Sequence, residues 1–397
     1  MFVIYFCTQH FRCTSFEKTV KTTNLFRGYF QENATMTRTV YFDHAASSVP
    51  SDKILQDLSS LLKHYYANSE AVHQMAYRSR EALKKAGQRL SLALSGRDDH
   101  PVIWGESATG LFRVMSSFPG FETSCTTALE HPALLANLQN HTSADIAGAA
   151  FPGSFRLEAF RGKTYDLSCC HQVQSELGSM PDTGEFFSSI MPRCRMLDAV
   201  QAAGKMPLDK NADIWIISGV KFGAPGGAAM LLAPDGRFTD KLLAHAHWCR
   251  NQNYSVSRIN VPMMLTMTGA LENAVDMMAE NRKKIIQLNS AIRDGVRKFG
   301  IEPTLPENVP VSPYILNLLL PAQESAIIVR ALGEMGIFTA SGSACSAESG
   351  HPSPALTAMG FKPQKAYRAL RLSFGASNEP EEAGIFLKGL ENVLKNY

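Results

Sequence analysis

The sequence predicts an α/β fold, in which a large, doubly wound and mostly parallel sheet is followed by a smaller C-terminal α/β unit. The chain has 397 residues, 45% of them hydrophobic, so it can bury a large core and is long enough for two domains. Across residues 51–262, short apolar runs alternate with segments of helical periodicity. Strands that alternate with helices in this way pair in parallel. A second alternation follows across residues 263–397.

The first predicted elements lead towards the large sheet. A strand and turn, YFDHAASSVP, lie within residues 36–50, and their small residues let a backbone approach another group closely. Residues 52–67 and 81–94 repeat apolar side chains at helical spacing. The short apolar run at residues 102–104 is a predicted strand, and GESATG follows it directly.

The second part of the chain begins with a long predicted helical region. Pro262 opens it, and residues 262–299 carry apolar side chains at helical spacing, so we interpret it as the bridge to a second domain. The elements beyond the bridge form a compact α/β unit. They are strands at 314–320, 337–340 and 369–374, and helices at 324–335 and 379–395.

The composition restricts the classes of function. Lysine plus arginine number 39 against 36 aspartate plus glutamate, and the formal charge of +3 is too small to favour a nucleic-acid partner. The eight cysteines form no CxxC pair, so their spacing predicts neither a metal site nor a disulfide scaffold and is typical of a reducing cytoplasm. No apolar run reaches the roughly 18 residues that span a bilayer, and we expect no membrane partner.

Residues 1–35 differ from the remainder of the sequence. They join a short apolar run, MFVIYFC, to a basic tract that ends before Met36. The apolar run has no basic residues ahead of it and no clear small-residue cleavage site, which argues against a secretory signal. A transit peptide is an alternative. We interpret the segment as an appendage outside the folded core, which an upstream start codon would add, with Met36 as the natural beginning.

The stretch at residues 196–227 carries the strongest indication of chemistry. The apolar runs at residues 195–200 and 214–217 are predicted strands. Polar residues lie at the end of each one: Asp198 and Gln201 at the first, Ser218 and Lys221 at the second. Parallel strands would bring these side chains to one carboxyl edge, where open α/β sheets bind ligands. A lysine near a buried aspartate is the arrangement that binds pyridoxal 5′-phosphate (PLP). The alternative is a surface lysine in a loop rich in glycine and proline.

Three further features are compatible with such a site but each has a simpler interpretation. Ser107 and Thr109 in GESATG stand at the start of a predicted helix. Such residues either bind an anion or simply cap the helix. His131 lies at a strand-to-helix junction, a position typical of capping and core histidines. Cys345 lies among small residues in SGSACSAESGHPSP, a neighbourhood that a structural core cysteine does not need.

Taken together, the motifs resemble those of the class V aminotransferase family of PLP enzymes, and within it the cysteine desulfurases and selenocysteine lyases. The resemblance spans about residues 38–395 and implies the PLP-dependent transferase fold type I. It also implies that residues 36–50 join the small domain. The motifs that carry it, in family order, are YFDHAASSVP, NSEAVH, ESATG, EHPALL, DAVQAAG, SGVK, SGSACS and LRLSFG.

The resemblance also implies roles for individual residues. Lys221 would hold PLP covalently, Asp198 would keep the pyridine nitrogen protonated, and Gln201 would contact the ring hydroxyl. His131 would stack on the ring and take part in catalysis. The phosphate would be bound by Ala108, Thr109 and Ser218.

At the substrate side, the resemblance assigns Arg371 to the carboxylate and Ser175 to both cofactor and substrate. Cys345 would be the nucleophile that takes sulfur from L-cysteine, leaving alanine and an enzyme persulfide. The family further implies a homodimer with active sites completed across the interface, and a sulfur-acceptor protein. Alternatives within the family are an aminotransferase or a selenocysteine lyase.

Three positions depart from the family pattern, and all are expected near the cofactor. Val220 stands where a histidine usually precedes the PLP lysine, and Ser175 stands where an asparagine is usual. Arg258 occupies the segment in which the partner subunit usually lends a threonine to the phosphate. An arginine there would compensate with a charge-assisted contact. A non-catalytic relative that retains the fold is the remaining alternative.

Overall fold

The computed structural model describes residues 39–251, 259–342 and 352–396. From Thr39 onward the chain is one compact unit. The predicted appendage at residues 1–35 lies outside the described residues, as do two of the predicted site residues, Cys345 and Arg258.

The strands of the described part are short, and all of them have five residues or fewer. In chain order they are β1 (Val40–Tyr41), β2 (Val102–Gly105), β3 (Thr123–Thr127), β4 (Ser143–Ala147), β5 (Ala149–Ala150), β6 (Ser154–Phe155), β7 (Leu167–His171), β8 (Cys194–Asp198), β9 (Ile214–Ser218), β10 (Ala228–Leu232), β11 (Glu302–Pro303), β12 (Ile315–Leu319), β13 (Ile337–Phe338), β14 (Ala340–Ser341) and β15 (Ala369–Ser373).

Most of the helices are longer than the strands. They are α1 (Asp52–His64), α2 (Gln74–Ser95), α3 (Ala108–Ser116), α4 (Pro132–His141), α5 (Thr183–Ile190), α6 (Thr239–Asn251), α7 (Val261–Asp276), α8 (Met278–Arg297), α9 (Ser325–Glu334), α10 (Pro354–Ala358), α11 (Pro363–Ala366) and α12 (Glu382–Asn396), with 3-10 turns at Leu157–Phe160 and Gly219–Lys221.

The large sheet has seven strands in the order β2-β10-β9-β8-β7-β3-β4. The five strands from β9 to β4 are parallel neighbours, whereas β10 runs antiparallel to both β9 and β2. The prediction of a mostly parallel sheet is therefore confirmed. The antiparallel strand β10 directly follows the Gly-Pro-rich turn after Lys221.

The central strands are buried on both faces, which explains the uninterrupted apolar runs of β9 and β10. Every residue of β7, β9 and β10 is buried. Successive side chains point to opposite faces: Leu197 and Ile217 join one core, while Met196 and Ile216 join the other. The first core is completed by α2, α5 and α7, and the second by α3, α4 and α6. Helices on both faces make the sheet doubly wound, as predicted.

A second, four-stranded antiparallel sheet in the order β11-β12-β15-β14 follows towards the C-terminus. Its apolar core is shared with α8, α9 and α12 and includes Val40 and Phe42 from the beginning of the described chain. β1 pairs with β13 in parallel, with Val40 opposite Ile337. The exact domain boundaries stay a prediction.

The parallel strands β7, β8 and β9 end side by side, and this alignment positions the site. In the sheet register His171 lies opposite Asp198, and Asp198 lies opposite Ile216, two residues before Ser218. Polar residues at the three strand ends therefore face one crevice at the carboxyl edge.

Candidate active site

A cavity of about 280 Å³ opens at this edge, a size suited to a small-molecule ligand. Nine of the eleven predicted site residues line it, although they come from six separate segments of the chain. They are Ala108, Thr109, His131, Ser175, Asp198, Gln201, Ser218, Lys221 and Arg371. The other two, Cys345 and Arg258, lie outside the described residues.

Lys221 ends the 3-10 turn that follows β9, and the N-terminal turn holds it in place. Its Nζ donates a hydrogen bond to the carbonyl oxygen of Ala46 at 2.6 Å. Ser48 closes against the same backbone, since its Oγ donates to the Lys221 carbonyl at 3.0 Å and its N–H donates to the Val220 carbonyl at 2.6 Å. The small residues of YFDHAASSVP thus permit the close approach that the sequence predicts.

Gly219 at the start of this turn has no room for a side chain. A Cβ there would collide with the carbonyl oxygen of Gly226 and lie 2.7 Å from Met267 Cγ. We expect Gly219→Ala to lower the free energy of unfolding by about 1–3 kcal/mol. Urea unfolding checks this, with Gly333→Ala in α9 as the control, because no atom lies within 4 Å of a Cβ at Gly333. Equal destabilisation by the two substitutions would contradict the steric argument.

Asp198 is the last residue of β8 and is buried in the cavity wall. Its Oδ1 accepts a hydrogen bond from the Val200 N–H at 3.0 Å. Burial raises the pKa of Asp198 to about 6, against the opposing effects of that hydrogen bond and of His171 and Lys221. The carboxylate is therefore still ionised at neutral pH and can accept a proton or a hydrogen bond from a ligand.

The raised pKa of Asp198 predicts a pH-dependent stability. The folded chain holds this proton more tightly than the unfolded chain does, so ionisation of Asp198 opposes folding as the pH rises. Without ligand, the wild-type free energy of unfolding should fall relative to that of Asp198→Asn by up to about 3 kcal/mol between about pH 4 and about pH 7. Urea unfolding of both proteins at the two pH values checks this. The same pH dependence in both proteins would show that burial does not raise the pKa of Asp198.

The Gln201 side chain is fixed at both ends of its amide. Its Nε2 donates to the Ala45 carbonyl oxygen at 3.0 Å, and its Oε1 accepts from Lys205 Nζ at 3.3 Å. Lys205 is a buried residue that the sequence reasoning missed. It follows Gln201 by four residues in DAVQAAGK, but nothing in that spacing indicated that its side chain turns inward.

His131 caps α4 and forms part of the cavity wall. Its Nδ1 accepts a hydrogen bond from the Ala133 N–H at 3.1 Å, which leaves the proton on Nε2. Burial, together with the Lys221 charge, lowers the pKa of His131. The ring is thus a neutral imidazole, suited to lie against an aromatic ligand. The capping role and the cavity-lining role coexist in one residue.

The phosphate-binding residues predicted from GESATG lie at the N-terminus of α3. Ser107 is the N-cap residue, and its Oγ accepts a hydrogen bond from the Gly110 N–H at 3.2 Å. Ala108 and Thr109 begin the helix and, with Ser218 from the end of β9, line the cavity. Free backbone N–H groups at a helix start attract an anion.

Arg371 lies on β15, is almost fully buried and reaches the cavity between two oxygen partners. Its Nη2 pairs with Asp43 Oδ1 at 2.7 Å, and its Nη1 donates to the Ser175 carbonyl oxygen at 3.2 Å. Burial raises the pKa of Asp43, and the Arg371 charge opposes that rise. The sequence reasoning did not identify Asp43 as a partner, although YFDHAASSVP contains it.

A buried pair of titratable residues, His171 and Glu130, was also missed. His171 Nδ1 lies 2.8 Å from Glu130 Oε1, which also accepts a hydrogen bond from Thr127 Oγ1 at 2.9 Å. Burial lowers the pKa of His171, but the Glu130 carboxylate outweighs it and the net shift is upward. His171 Nε2 has no hydrogen-bond partner among the described residues, and the side chain lines the cavity. His171 could have been identified from the sequence as a cavity residue, because it is the polar residue that ends a buried strand.

Five cysteines in the described ranges are free and buried. Burial raises the pKa of each thiol, to about 12 for Cys125. None of these five is therefore an available thiolate. The described residues contain no group of three or more potential metal ligands, and no described helix is long and apolar enough to cross a membrane.

Comparisons with known proteins identify the family. The family model for aminotransferase class-V matches residues 40–386. The cysteine desulfurase NifS of Azotobacter vinelandii is 26% identical over 369 residues, which cover 86% of this chain and 89% of NifS. The putative cysteine desulfurase IscS 1 of Bacillus subtilis is 24% identical over 381 residues, which cover 90% and 98%.

Solved structures share the fold. A NifS-like protein superposes with a TM-score of 0.75 at 21% identity, and the match covers 91% of this chain and all of that one. A NifS-like protein from Rickettsia africae gives 0.74 at 18% identity, covering 90% and 100%. The fold is thus the PLP-dependent transferase type I fold, as predicted. Because the family model covers most of its length, this chain belongs to the aminotransferase class-V family.

Proposed function

We propose that the protein is a PLP-dependent cysteine desulfurase. The observation that carries the proposal is the convergence of a lysine, a buried carboxylate, a neutral imidazole and an arginine in one cavity. In the overall reaction the C–S bond of L-cysteine breaks, a proton is added at the carbon, and an S–S bond forms to the Cys345 sulfur. L-Cysteine and the enzyme thiol thus give L-alanine and an enzyme persulfide, without an external oxidant or reductant.

The residues that line the cavity fit PLP. Lys221 supplies the amine, and Asp198 supplies a carboxylate that stays ionised at neutral pH despite its burial. PLP, when bound, supplies an electron sink that stabilises negative charge on the substrate carbon next to the nitrogen. His131 presents a flat neutral ring to that cavity, and Gln201 presents an amide N–H.

The described residues that would hold the phosphate carry no charge. Ser218, Thr109 and the N–H groups at the start of α3 are neutral hydrogen-bond donors. Val220 lines the cavity without a polar group where the family usually has a histidine. Arg258 would compensate with a charge, but it lies outside the described residues.

Arg371 would bind the substrate carboxylate. Its guanidinium is held by Asp43 and by the Ser175 carbonyl, which fixes its plane. Both partners are oxygens, so an incoming carboxylate would have to share the guanidinium with Asp43. This arrangement favours a small amino acid that enters with its carboxylate towards β15.

Arg371→Lys is expected to raise the KM for L-cysteine about tenfold or more, with a smaller fall in kcat. An ammonium is a single point charge and cannot hold Asp43, Ser175 and a substrate carboxylate in one plane. Steady-state kinetics check this. The matched control is Arg195→Lys, because Arg195, on β8 of the large sheet, forms a two-bond pair with Asp213 but does not line the cavity. Equal effects of the two substitutions would contradict the role of Arg371.

Cys345 is proposed as the sulfur acceptor of the first half-reaction. Its placement lies outside the described residues, and the proposal rests on SGSACS and on the family resemblance. The five described cysteines are unsuited to the task, since burial disfavours their thiolates. A second protein would then receive the sulfur. We further propose a homodimer in the cytoplasm, since active sites of this family are completed across a dimer interface.

The absorbance spectrum of the purified protein tests the proposal. After addition of PLP, the protein should absorb in the visible range, and L-cysteine should change that spectrum and release alanine. An unrelated amino acid of similar size, such as L-valine, is the control. A protein that binds no PLP would refute the proposal. A spectrum that responds to other amino acids, with no alanine formed from cysteine, would favour another class V reaction.

A further inference from the structure

Lys205 is a buried lysine to which the proposed reaction gives no role. Only 5% of the residue is exposed, and it lies in the turn after β8. Its Nζ donates to Gln201 Oε1 at 3.3 Å and lies 5.9 Å from the centre of the Tyr314 ring. Within the described ranges, the charges that act on it are those of the cations Lys221 and Arg371 rather than that of a carboxylate. A buried ammonium lowers the stability of the folded protein unless a partner compensates its charge.

The orientation of the Gln201 amide follows from its two neighbours. The Ala45 carbonyl can only accept, so the NH₂ end of the amide must face Ala45, and Oε1 must face Lys205. If the amide were flipped, Oε1 would face the Ala45 carbonyl oxygen and the NH₂ group would face the Lys205 ammonium. Neither pair could form a hydrogen bond. Nε2 carries two hydrogens, and Ala45 uses one. The second hydrogen is available to a ligand in the cavity that Gln201 lines.

We propose that Lys205 is a positioning residue that holds the Gln201 amide by its oxygen and polarises it, so that the amide N–H binds an oxyanion of the ligand. A cation at the carbonyl end strengthens the N–H at the other end, because hydrogen bonds in a chain polarise one another. The inference rests on the proposed function, in which the oxyanion is the ring oxygen of PLP.

The surroundings of Lys205 make its charge responsive to a ligand. Burial lowers the pKa of Lys205 to about 7, and the Lys221 and Arg371 charges act in the same direction. The other titratable side chains that face it are neutral: burial lowers the pKa of His44 to about 3 and raises that of Tyr314 to about 12. Without ligand, the support given to Gln201 should therefore weaken as the pH rises above about 7. An anionic ligand would favour protonated Lys205 and extend that support to higher pH.

The test is a titration of the apoprotein with PLP, in which affinity and spectrum are measured rather than turnover. Lys205→Met should raise the Kd for PLP about tenfold, and Lys205→Arg should restore most of the affinity. The pH midpoint of the absorbance of bound PLP should move upward in Lys205→Met, because the oxyanion loses a donor. A purely structural lysine would not move that midpoint.

A double substitution tests whether Lys205 acts through Gln201. In a Gln201→Ala background, Lys205→Met should change the Kd less than about twofold. Lys284→Met is the control, since Lys284 pairs with Glu379 and lies outside the cavity. If Lys205→Met does not fold, Lys205→Gln takes its place, because it also removes the charge.

The outcomes separate the two proposals. Wild-type protein that binds no PLP refutes the proposed function. Wild-type protein that binds PLP, with an unchanged Kd and midpoint in Lys205→Met, overturns the role of Lys205 alone. An equal loss of affinity in the wild-type and Gln201→Ala backgrounds also overturns it, because Lys205 would then act independently of the amide.

Discussion

Lys221→Ala is expected to give a protein without the visible absorbance of covalently held PLP and with desulfurase activity lower by about a thousandfold or more. Lys221 Nζ sits in the cavity, where the Ala46 carbonyl fixes it at 2.6 Å. The other buried amine nearby, Lys205, is engaged with Gln201 and does not line that cavity. Lys205 is therefore not positioned to replace Lys221 as the lysine that holds PLP.

Absorbance spectra and alanine formation measure this effect. Lys84→Ala is the control, because Lys84 is exposed on α2 and does not line the cavity. Reduction with borohydride followed by peptide mapping adds a direct readout, since it attaches PLP irreversibly to the lysine that holds it. Attachment to any lysine other than Lys221 would contradict the assignment.

Cys345→Ala is expected to bind PLP as the wild type does but to lose sulfur transfer from L-cysteine by about a thousandfold or more. The nucleophile must be a thiolate, and burial raises the thiol pKa of all five described free cysteines. Alanine release and the PLP spectrum are measured on the same samples. Cys249→Ser is the matched control and should retain activity. Turnover that survives in Cys345→Ser would indicate a different class V reaction.

The buried strands were predictable from the sequence because burial on both faces leaves an uninterrupted apolar run. β8 and β9 lie within about two residues of their predicted positions. β4 was not predicted, since it pairs on one side only, at the edge of the sheet, and contains Asp145. The Asp145 carboxylate accepts hydrogen bonds from Lys163 and Tyr165. An edge strand with a charged residue lacks the pattern of a buried one.

The helical region predicted at residues 262–299 is two helices rather than one. α7 ends at Asp276 and α8 begins at Met278, with Met277 between them. No glycine or proline marks this break, so helical periodicity continued across it without interruption. The tertiary positions of the helices decide the break: the apolar side of α7 packs on the large sheet, and that of α8 packs on the small one.

The sequence could likewise predict some of the site residues but not their distant partners. Lys221, Asp198 and Ser218 were predictable because they follow apolar strands, and parallel strands end at one edge. Partners that are distant in sequence were not predictable. Glu130 meets His171 across 41 residues, and Asp43 meets Arg371 across 328. A sequence pattern covers neighbours along one element, whereas these pairs exist only because the sheets are assembled.

The most direct test of the proposed desulfurase function is the stoichiometry of a single turnover. PLP-loaded protein is mixed with about one equivalent of L-cysteine without an acceptor, and alanine and the persulfide on Cys345 are quantified by mass spectrometry. Equal amounts of both products are expected from the wild type, and neither product is expected from Lys221→Ala. Alanine without persulfide, or cysteine consumed with pyruvate or another product in place of alanine, would contradict it.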